Sequence, residues 1–121
     1  MKTTLVIGAS LNEDKPSNEA LRLLQENHIP ALGLGREGGS VGEVTVETEK
    51  RNFPAGDIHT VSIYLRAANQ AEFADWILSL KPARVFFNPG AENEELAARF
   101  SEAGIECRKE CMITCINKNE F

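Results

Sequence analysis

The sequence predicts an α/β domain in which a parallel β-sheet carries helices on both faces. Along the chain, short β-branched or apolar runs alternate with stretches whose apolar residues recur at helical spacing. The first run, residues 3 to 8, passes directly into the small residues Ala9 and Ser10, and an amphipathic helix pattern follows. The links between the runs are short, which favours right-handed crossovers between parallel strands.

The first half of the chain contains two strands, one helix and a hairpin signal. Strand 1 covers about residues 3 to 8, and helix 1 spans about Ser17–Asn27, with its first residue as the N-cap. Strand 2 is Ile29–Leu34, followed by a glycine-dense stretch up to Gly39. Residues 41 to 46 alternate well enough for a short extra strand or a hairpin arm.

The second half contains three strands and two helices. The strands are Ile58–Leu65, preceded by the turn signal at residues 54 to 57, then Arg84–Phe87 and Ile105–Arg108. The helices begin near Asn69 or Gln70 and near Glu92, and end at Pro82 and Gly104, respectively. The tail from Cys111 to Lys118 is either a short helix or a further strand.

These elements predict one doubly wound, Rossmann-like domain over residues 1–121, since a chain of this length can bury a core of its own. We expect about five strands in the order 3-2-1-4-5, with strand 1 central. In such a sheet the ligand binds at the carboxyl ends of the strands, where the strand order reverses. The polar residues can therefore be assigned to one edge or the other.

Composition excludes several classes of partner. The net charge of −5 argues against a nucleic-acid or anionic-membrane surface. No 18-residue apolar run occurs and Met1 leads straight into a strand, so we expect neither a signal peptide nor a membrane span. Three cysteines, an odd number, suggest reduced thiols in a cytoplasmic protein.

The turn after strand 1 is the candidate phosphate site. Gly8, Ala9 and Ser10 are small enough for backbone N–H groups to approach an anion, and the amino end of helix 1 points to the same place. The turn lacks the full G-x-G-x-x-G spacing. Asn12 would brace the turn through its own side chain. Lys15 either reaches a pyrophosphate or is a surface lysine.

Arg36 distinguishes between ligands. Sites for NAD usually place a carboxylate at the end of strand 2, whereas here Gly35 is followed by an arginine. A guanidinium binds a ribose phosphate in a bidentate manner, which suits the 3′-phosphate of coenzyme A or the 2′-phosphate of NADP. The alternatives are a solvated arginine, or recognition of ribose hydroxyls by the adjacent Glu37.

The remaining polar residues divide between the two edges. Asn88, Pro89 and Gly90 form a predicted tight turn at the ligand edge, either against the ligand or purely structural, and Cys111 lies at the same edge. Both histidines, His28 and His59, fall at the opposite edge and are expected to be structural or surface residues.

Neither catalytic residues nor a metal site are predicted. The ligand edge has no general base with an orienting partner. Cys107, Cys111 and Cys115 recur every four residues without a histidine, which is not a convincing metal-ligand pattern.

These same residues resemble the small, stand-alone CoA-binding proteins, whose domain is similar to the CoA-binding domain of succinyl-CoA ligase alpha subunits. The matching stretches cover nearly the whole chain: residues 6–12, 15–17, 58–65, 80–96 and 104–106, followed by Cys111. The resemblance implies CoA binding without an established catalytic role. Its phosphate and turn positions correspond here to Gly8, Ala9, Ser10, Asn12, Lys15, Ser17, Asn88, Pro89 and Gly90. Departures from the family pattern are Lys15 in place of arginine, Ala91 in place of a hydroxyl residue, and Met112 in place of threonine.

Three functions follow from these patterns. The first is a protein that binds CoA or acyl-CoA, with the pantetheine arm running toward Asn88 and Cys111. Cys111 would then either form a mixed disulfide with CoA or be a plain, partly buried cysteine. The second is a small NADP-dependent reductase, with Tyr64 and Arg66 nearby. The third is a ligand-responsive interaction module that either reports acyl-CoA levels to a partner or associates as a dimer.

Overall fold

Strands and helices alternate through the computed structural model, which describes residues 2–50, 53 and 57–121. The strands are β1 (Thr3–Ala9), β2 (Ala31–Gly35), β3 (Gly39–Val41), β4 (Val44–Glu47), β5 (Ile58–Ile63), β6 (Arg84–Phe87) and β7 (Glu106–Arg108). The helices are α1 (Pro16–Glu26), α2 (Ala74–Leu80), α3 (Glu94–Glu102) and α4 (Met112–Asn117). Met1 and the predicted turn at residues 54–56 lie outside the described residues.

All seven strands form one sheet in the order β3-β4-β2-β1-β5-β6-β7. Neighbouring strands are parallel except β3 and β4, which pair antiparallel through Ser40 and Thr45. Residues 41 to 46 were predicted to be a short extra strand or a hairpin arm, and the structure has a hairpin there, with its turn at Gly42 and Glu43 between β3 and β4. It adds two strands that the prediction of about five did not include.

The predicted order 3-2-1-4-5 is wrong. The predicted strand 3 is β5, and it lies between β1 and β6, whereas the prediction placed it beyond β2. The hairpin occupies that outer position, and α1 holds it there. Gln25 donates from Nε2 to the Val41 carbonyl at 2.8 Å and accepts from the Glu43 amide at 2.8 Å.

Burial along β5 explains why this strand is internal. Five of its six residues are buried and His59 is half-buried, so both of its faces are covered. A continuous β-branched and apolar run is typical of a central parallel strand. The run Ile58–Ile63 therefore carried a signal for a central position that the predicted order did not use.

Helices cover both faces of the sheet, as predicted. On one face, α2 and α3 pack over β1, β5 and β6 around Phe87 and Phe100. On the other face, α1 and α4 enclose a second core that includes Val6, Phe86 and Met112. The tail is thus a helix, the first of the two alternatives. In the described part of the chain, no helix is both long and apolar enough to cross a bilayer.

Two helices begin later than predicted. Two short 3-10 turns, Ala67–Asn69 and Ala71–Phe73, occupy the predicted start of the second helix, and α2 begins only at Ala74. The third helix begins after Asn93, whose Oδ1 accepts from the Leu96 amide at 3.0 Å. Side-chain capping of a free helical amide explains why the helix begins there.

Candidate functional site

The observed strand order moves the point of reversal to the gap between β1 and β5. From β1 the chain continues to β2 on one side, and from β5 it continues to β6 and β7 on the other. Ligands of open α/β sheets bind outside the carboxyl ends of the strands at such a point. The residues at and just after the ends of these two strands, 8–12 and 64–66, therefore border the candidate site. The predicted order had placed the turn at Asn88 directly beside strand 1.

Gly8 brings the ends of β1 and β5 into contact. Its φ of +87° lies in the left-handed region, and a Cβ at this position would be 2.8 Å from the Tyr64 carbonyl oxygen. The Tyr64 amide donates to the Ile7 carbonyl at 2.9 Å. Only glycine satisfies both the backbone conformation and this close approach.

Gly35 has the corresponding role between β1 and β2. A Cβ there would overlap the carbonyl oxygen of Ala9. The two glycines thus allow the ends of β2 and β5 to lie close to the end of β1, one on each side. The following residue, Arg36, is exposed.

Short side-chain hydrogen bonds order the loop between β1 and α1. Ser10 Oγ accepts from the Asn12 amide at 3.1 Å, and Asn12 Oδ1 accepts from the Asp14 amide at 2.9 Å. Asn12 therefore braces the turn, as predicted. Asn18, which the sequence analysis missed, is buried in the first turn of α1 and donates from Nδ2 to the Ser10 carbonyl at 3.0 Å.

The predicted N-cap at Ser17 is wrong. Lys15 is the N-cap residue, with an extended backbone, and Pro16 takes the first helical position. Proline suits that position because its φ is fixed near the helical value and it has no N–H to satisfy. Ser17 is the next residue and is buried. Its amide is the first in α1 that carries an N–H, at the end of the helix that faces the β1 turn.

Three cations surround this edge. Lys15, Arg36 and Arg66 follow β1, β2 and β5, respectively, and all three are exposed. Within the described residues none of them has a carboxylate at ion-pair distance. The observed strand order makes Arg66 a stronger candidate for the site, because β5 is the direct neighbour of β1. These three side chains are thus free of ion pairs within the described residues, in a chain whose net charge is −5.

The turn at residues 88–90 forms as predicted, but the hydrogen bonds of the Asn88 side chain connect parts of the fold. It is buried, and its Nδ2 donates to Ser62 Oγ at 2.8 Å and to the Ile63 carbonyl at 2.9 Å. Its Oδ1 accepts from the Met112 amide at 2.8 Å. Asn88 thus joins β5, β6 and α4, and only Pro89 and Gly90 of this turn are exposed.

Tyr64 is partly buried and packs against the core beneath α1 and α4. Burial raises the pKa of Tyr64 far above its usual range, and the negative charges of Cys111 and Glu19 act in the same direction. Nearby Ser62 opposes this shift in pKa, but no hydrogen bond of good geometry reaches the Tyr64 hydroxyl from the described residues. A buried hydroxyl without a partner is costly.

Of the three thiols, Cys111 belongs to the ligand edge. It is half-buried and is the N-cap residue of α4. Burial raises the pKa of both Cys107 and Cys115, and the Cys107 Sγ lies 3.5 Å from the Ala97 carbonyl oxygen. These two thiols are therefore parts of the core. Among the described residues no group of three acidic, cysteine or histidine side chains is arranged to hold a metal ion.

Together these features define a Rossmann-like α/β domain with a candidate anion-binding edge. The chain belongs to a family described as the CoA binding domain, whose model matches residues 2–117. The comparison with curated proteins finds no match.

Solved structures agree with this fold. An uncharacterized protein is 36% identical, with a TM-score of 0.92, and the match covers 100% of this chain and 98% of that one. A protein from Thermus thermophilus is 20% identical, with a TM-score of 0.88 and coverage of 99% and 90%. A hypothetical protein from Pyrococcus horikoshii OT3 is 18% identical, with a TM-score of 0.86 and coverage of 97% and 82%.

Proposed function

We propose that this chain binds coenzyme A or an acyl-CoA at the carboxyl ends of β1 and β5, without catalysing a reaction itself. The observation that carries the proposal is the contact between Gly8 and Tyr64, beside the amino end of α1, in a member of the CoA binding domain family. Backbone amides of residues 8–11 and the Ser17 amide at the start of α1 would hold the pyrophosphate, since the amides of Asn12, Asn18 and Glu19 already have acceptors.

The ribose 3′-phosphate is assigned to Arg36. A guanidinium presents two parallel donors to a phosphate, whereas the Lys15 ammonium offers a point charge. Both side chains are exposed and extend from the same edge of the sheet. Arg66 is a third cation that can share the phosphate charge.

The pantetheine arm is assigned to the path from α1 past Tyr64 toward Cys111. Because the pKa of Tyr64 is raised, its hydroxyl is protonated at neutral pH and can donate. Pantetheine contains two amide groups, and an amide oxygen would give this buried hydroxyl the partner it lacks. The thiol or acyl end of the ligand would then lie near Cys111.

A thermal-shift series tests the ligand. At a hundredfold excess over Kd, CoA is expected to stabilise the protein by roughly 2.7 kcal/mol, or roughly 10 °C in Tm. Dephospho-CoA, which lacks the 3′-phosphate, is expected to bind about tenfold more weakly because one charge-assisted contact is lost. In Arg36→Gln the difference between CoA and dephospho-CoA should disappear.

Arg99→Gln is the matched control, since Arg99 is an exposed arginine on α3 that pairs with Asp75 at 2.9 Å. It should retain the preference for CoA. Tighter binding of NADPH than of CoA, with hydride transfer, would replace the proposal with a small reductase. A change of oligomeric state on adding CoA would add the role of a ligand-responsive module.

Cys111 is expected to form a mixed disulfide when the protein is treated with CoA disulfide. The Cys111 thiolate would attack one sulfur of the disulfide and release one CoA thiolate, so no further oxidant is needed. Intact-mass spectrometry should show one CoA adduct, and peptide mapping should locate it at Cys111. Cys111→Ser should remain unmodified, because the thiols of Cys107 and Cys115 have raised pKa values. An unmodified wild-type protein would show that Cys111 is a plain, partly buried cysteine.

A further inference from the structure

A cavity lies at the opposite edge of the sheet from the candidate CoA site, where the parallel strands begin. It has a volume of about 380 Å³ and is enclosed by the amino ends of β1, β5 and β6 and by the turn between α1 and β2. Four of its lining residues are basic: Lys2, His28, His59 and Arg84. None of the lining side chains is acidic, and an apolar wall is formed by the side chains of Ile29, Pro30 and Phe121.

Arg84 lines this cavity and forms no ion pair among the described residues. Its Nε donates to Thr60 Oγ1 at 2.9 Å, and Thr60 is 1% exposed. Its guanidinium lies 4.3 Å from the ring centroid of Phe121 and 5.1 Å from that of Phe86. No carboxylate of the described residues forms an ion pair with it, so the remaining guanidinium N–H groups are available to a ligand.

Other basic side chains lie around Arg84, and their charges act on one another. His59 Nδ1 lies 2.8 Å from the same Thr60 hydroxyl. Burial lowers the pKa of His59, and the charges of Lys2 and Arg84 lower it further, while Glu106 opposes them. Burial and the neighbouring Arg108 lower the pKa of Arg84, with Cys115, Glu106 and Glu110 opposing. Cations that destabilise one another at a half-buried site would be stabilised by a bound anion.

We propose that this cavity binds a small phosphate monoester, with its phosphate on Arg84 and Lys2 and its organic part against Pro30 and Phe121. A phosphate dianion matches the two permanent positive charges, and a guanidinium suits its tetrahedral oxygens. The volume exceeds that of a phosphate alone, which leaves room for an apolar group beside the Phe121 ring. Since β1 has seven residues, roughly 23 Å of strand separates this cavity from the CoA edge.

NMR with phenyl phosphate tests this site in the full chain at constant ionic strength. Saturable shifts are expected at the amides of residues 2–4, 28–29, 59–60 and 84. Arg84→Gln should weaken binding about tenfold and Lys2→Gln several-fold, because each removes a charged contact. Arg99→Gln should bind as the wild type does. A bound phosphate should also raise the pKa of His59, because the anion stabilises the imidazolium. Phenyl phosphate should therefore bind more tightly as the pH falls through the pKa of His59 in the complex.

Three results would overturn the proposal. The shifts could grow without saturation and be reproduced by sodium chloride, or they could occur only around residues 8–12. Benzoate could also bind as tightly as phenyl phosphate, which would remove the phosphate assignment. If Arg84→Gln loses its native spectrum, Lys2→Gln provides the test, because Lys2 is exposed and its substitution should leave the fold intact. Wild-type affinity for phenyl phosphate in Lys2→Gln would then refute the site.

Discussion

Gly8→Ala is expected to destabilise the protein by about 1–3 kcal/mol more than Gly104→Ala does. Both glycines have a φ of +87°, so both substitutions incur the same left-handed backbone strain, about 1–2 kcal/mol. They differ in the space around the new methyl group. At Gly104 nothing lies within 4 Å of an added Cβ, whereas at Gly8 the Tyr64 carbonyl oxygen lies at 2.8 Å and its carbon at 3.0 Å.

Urea unfolding of the two variants at neutral pH measures this difference. In the folded fraction of Gly8→Ala, CoA affinity should also fall, since the ends of β1 and β5 must separate to admit the methyl group. Gly104→Ala should bind CoA normally. Equal destabilisation of the two variants would show that the β1 end relaxes freely. Unchanged CoA affinity in Gly8→Ala would count against the proposed site itself.

Asn88→Ala is expected to cost about 3–5 kcal/mol of unfolding free energy. It leaves the Ile63 carbonyl, the Met112 amide and Ser62 Oγ without their partner in a buried region, and each such group costs about 1–3 kcal/mol. Asn93→Ala is the matched control. It removes one hydrogen bond at the start of α3 and should cost about 1 kcal/mol.

Asn88→Asp separates hydrogen bonding from volume. A carboxylate can still accept from the Met112 amide, but it faces the Ile63 carbonyl with no proton to donate. The buried acid should therefore have a raised pKa in the folded state, so its folding is favoured in the protonated form. Relative to wild type, this variant should gain stability as the pH falls through that raised pKa. Urea unfolding between pH 5 and pH 8 measures this, and a pH-independent difference would contradict the argument.

Local features of the candidate site were predictable from the sequence. The run of small residues after strand 1 forms a turn at the ligand edge, and Asn12 braces it through a bond within that same loop. Both histidines begin or precede strands at the opposite edge. These outcomes depend on residues only a few positions apart, and the chemistry of a short segment is sufficient to specify them.

Side chains that work between distant segments were not predictable in the same way. The turn at Asn88 was expected to lie against the ligand or to be purely structural, and the three hydrogen bonds of the Asn88 side chain run to β5 and α4. Ser17 was expected to cap α1, but the adjoining Pro16 takes the first helical position and leaves Ser17 buried in the helix. The partners of a polar side chain depend on which elements pack beside it.

The sequence by itself determined the alternation of strands and helices, the family and the loop after β1. Only the tertiary structure decided that β5 lies beside β1, which places Tyr64 and Arg66 at the candidate site. The physical reason is that strand order depends on long-range contacts. Gln25 of α1 binds the β3–β4 hairpin to the outer side of β2, and β5 is left to pair with the open side of β1.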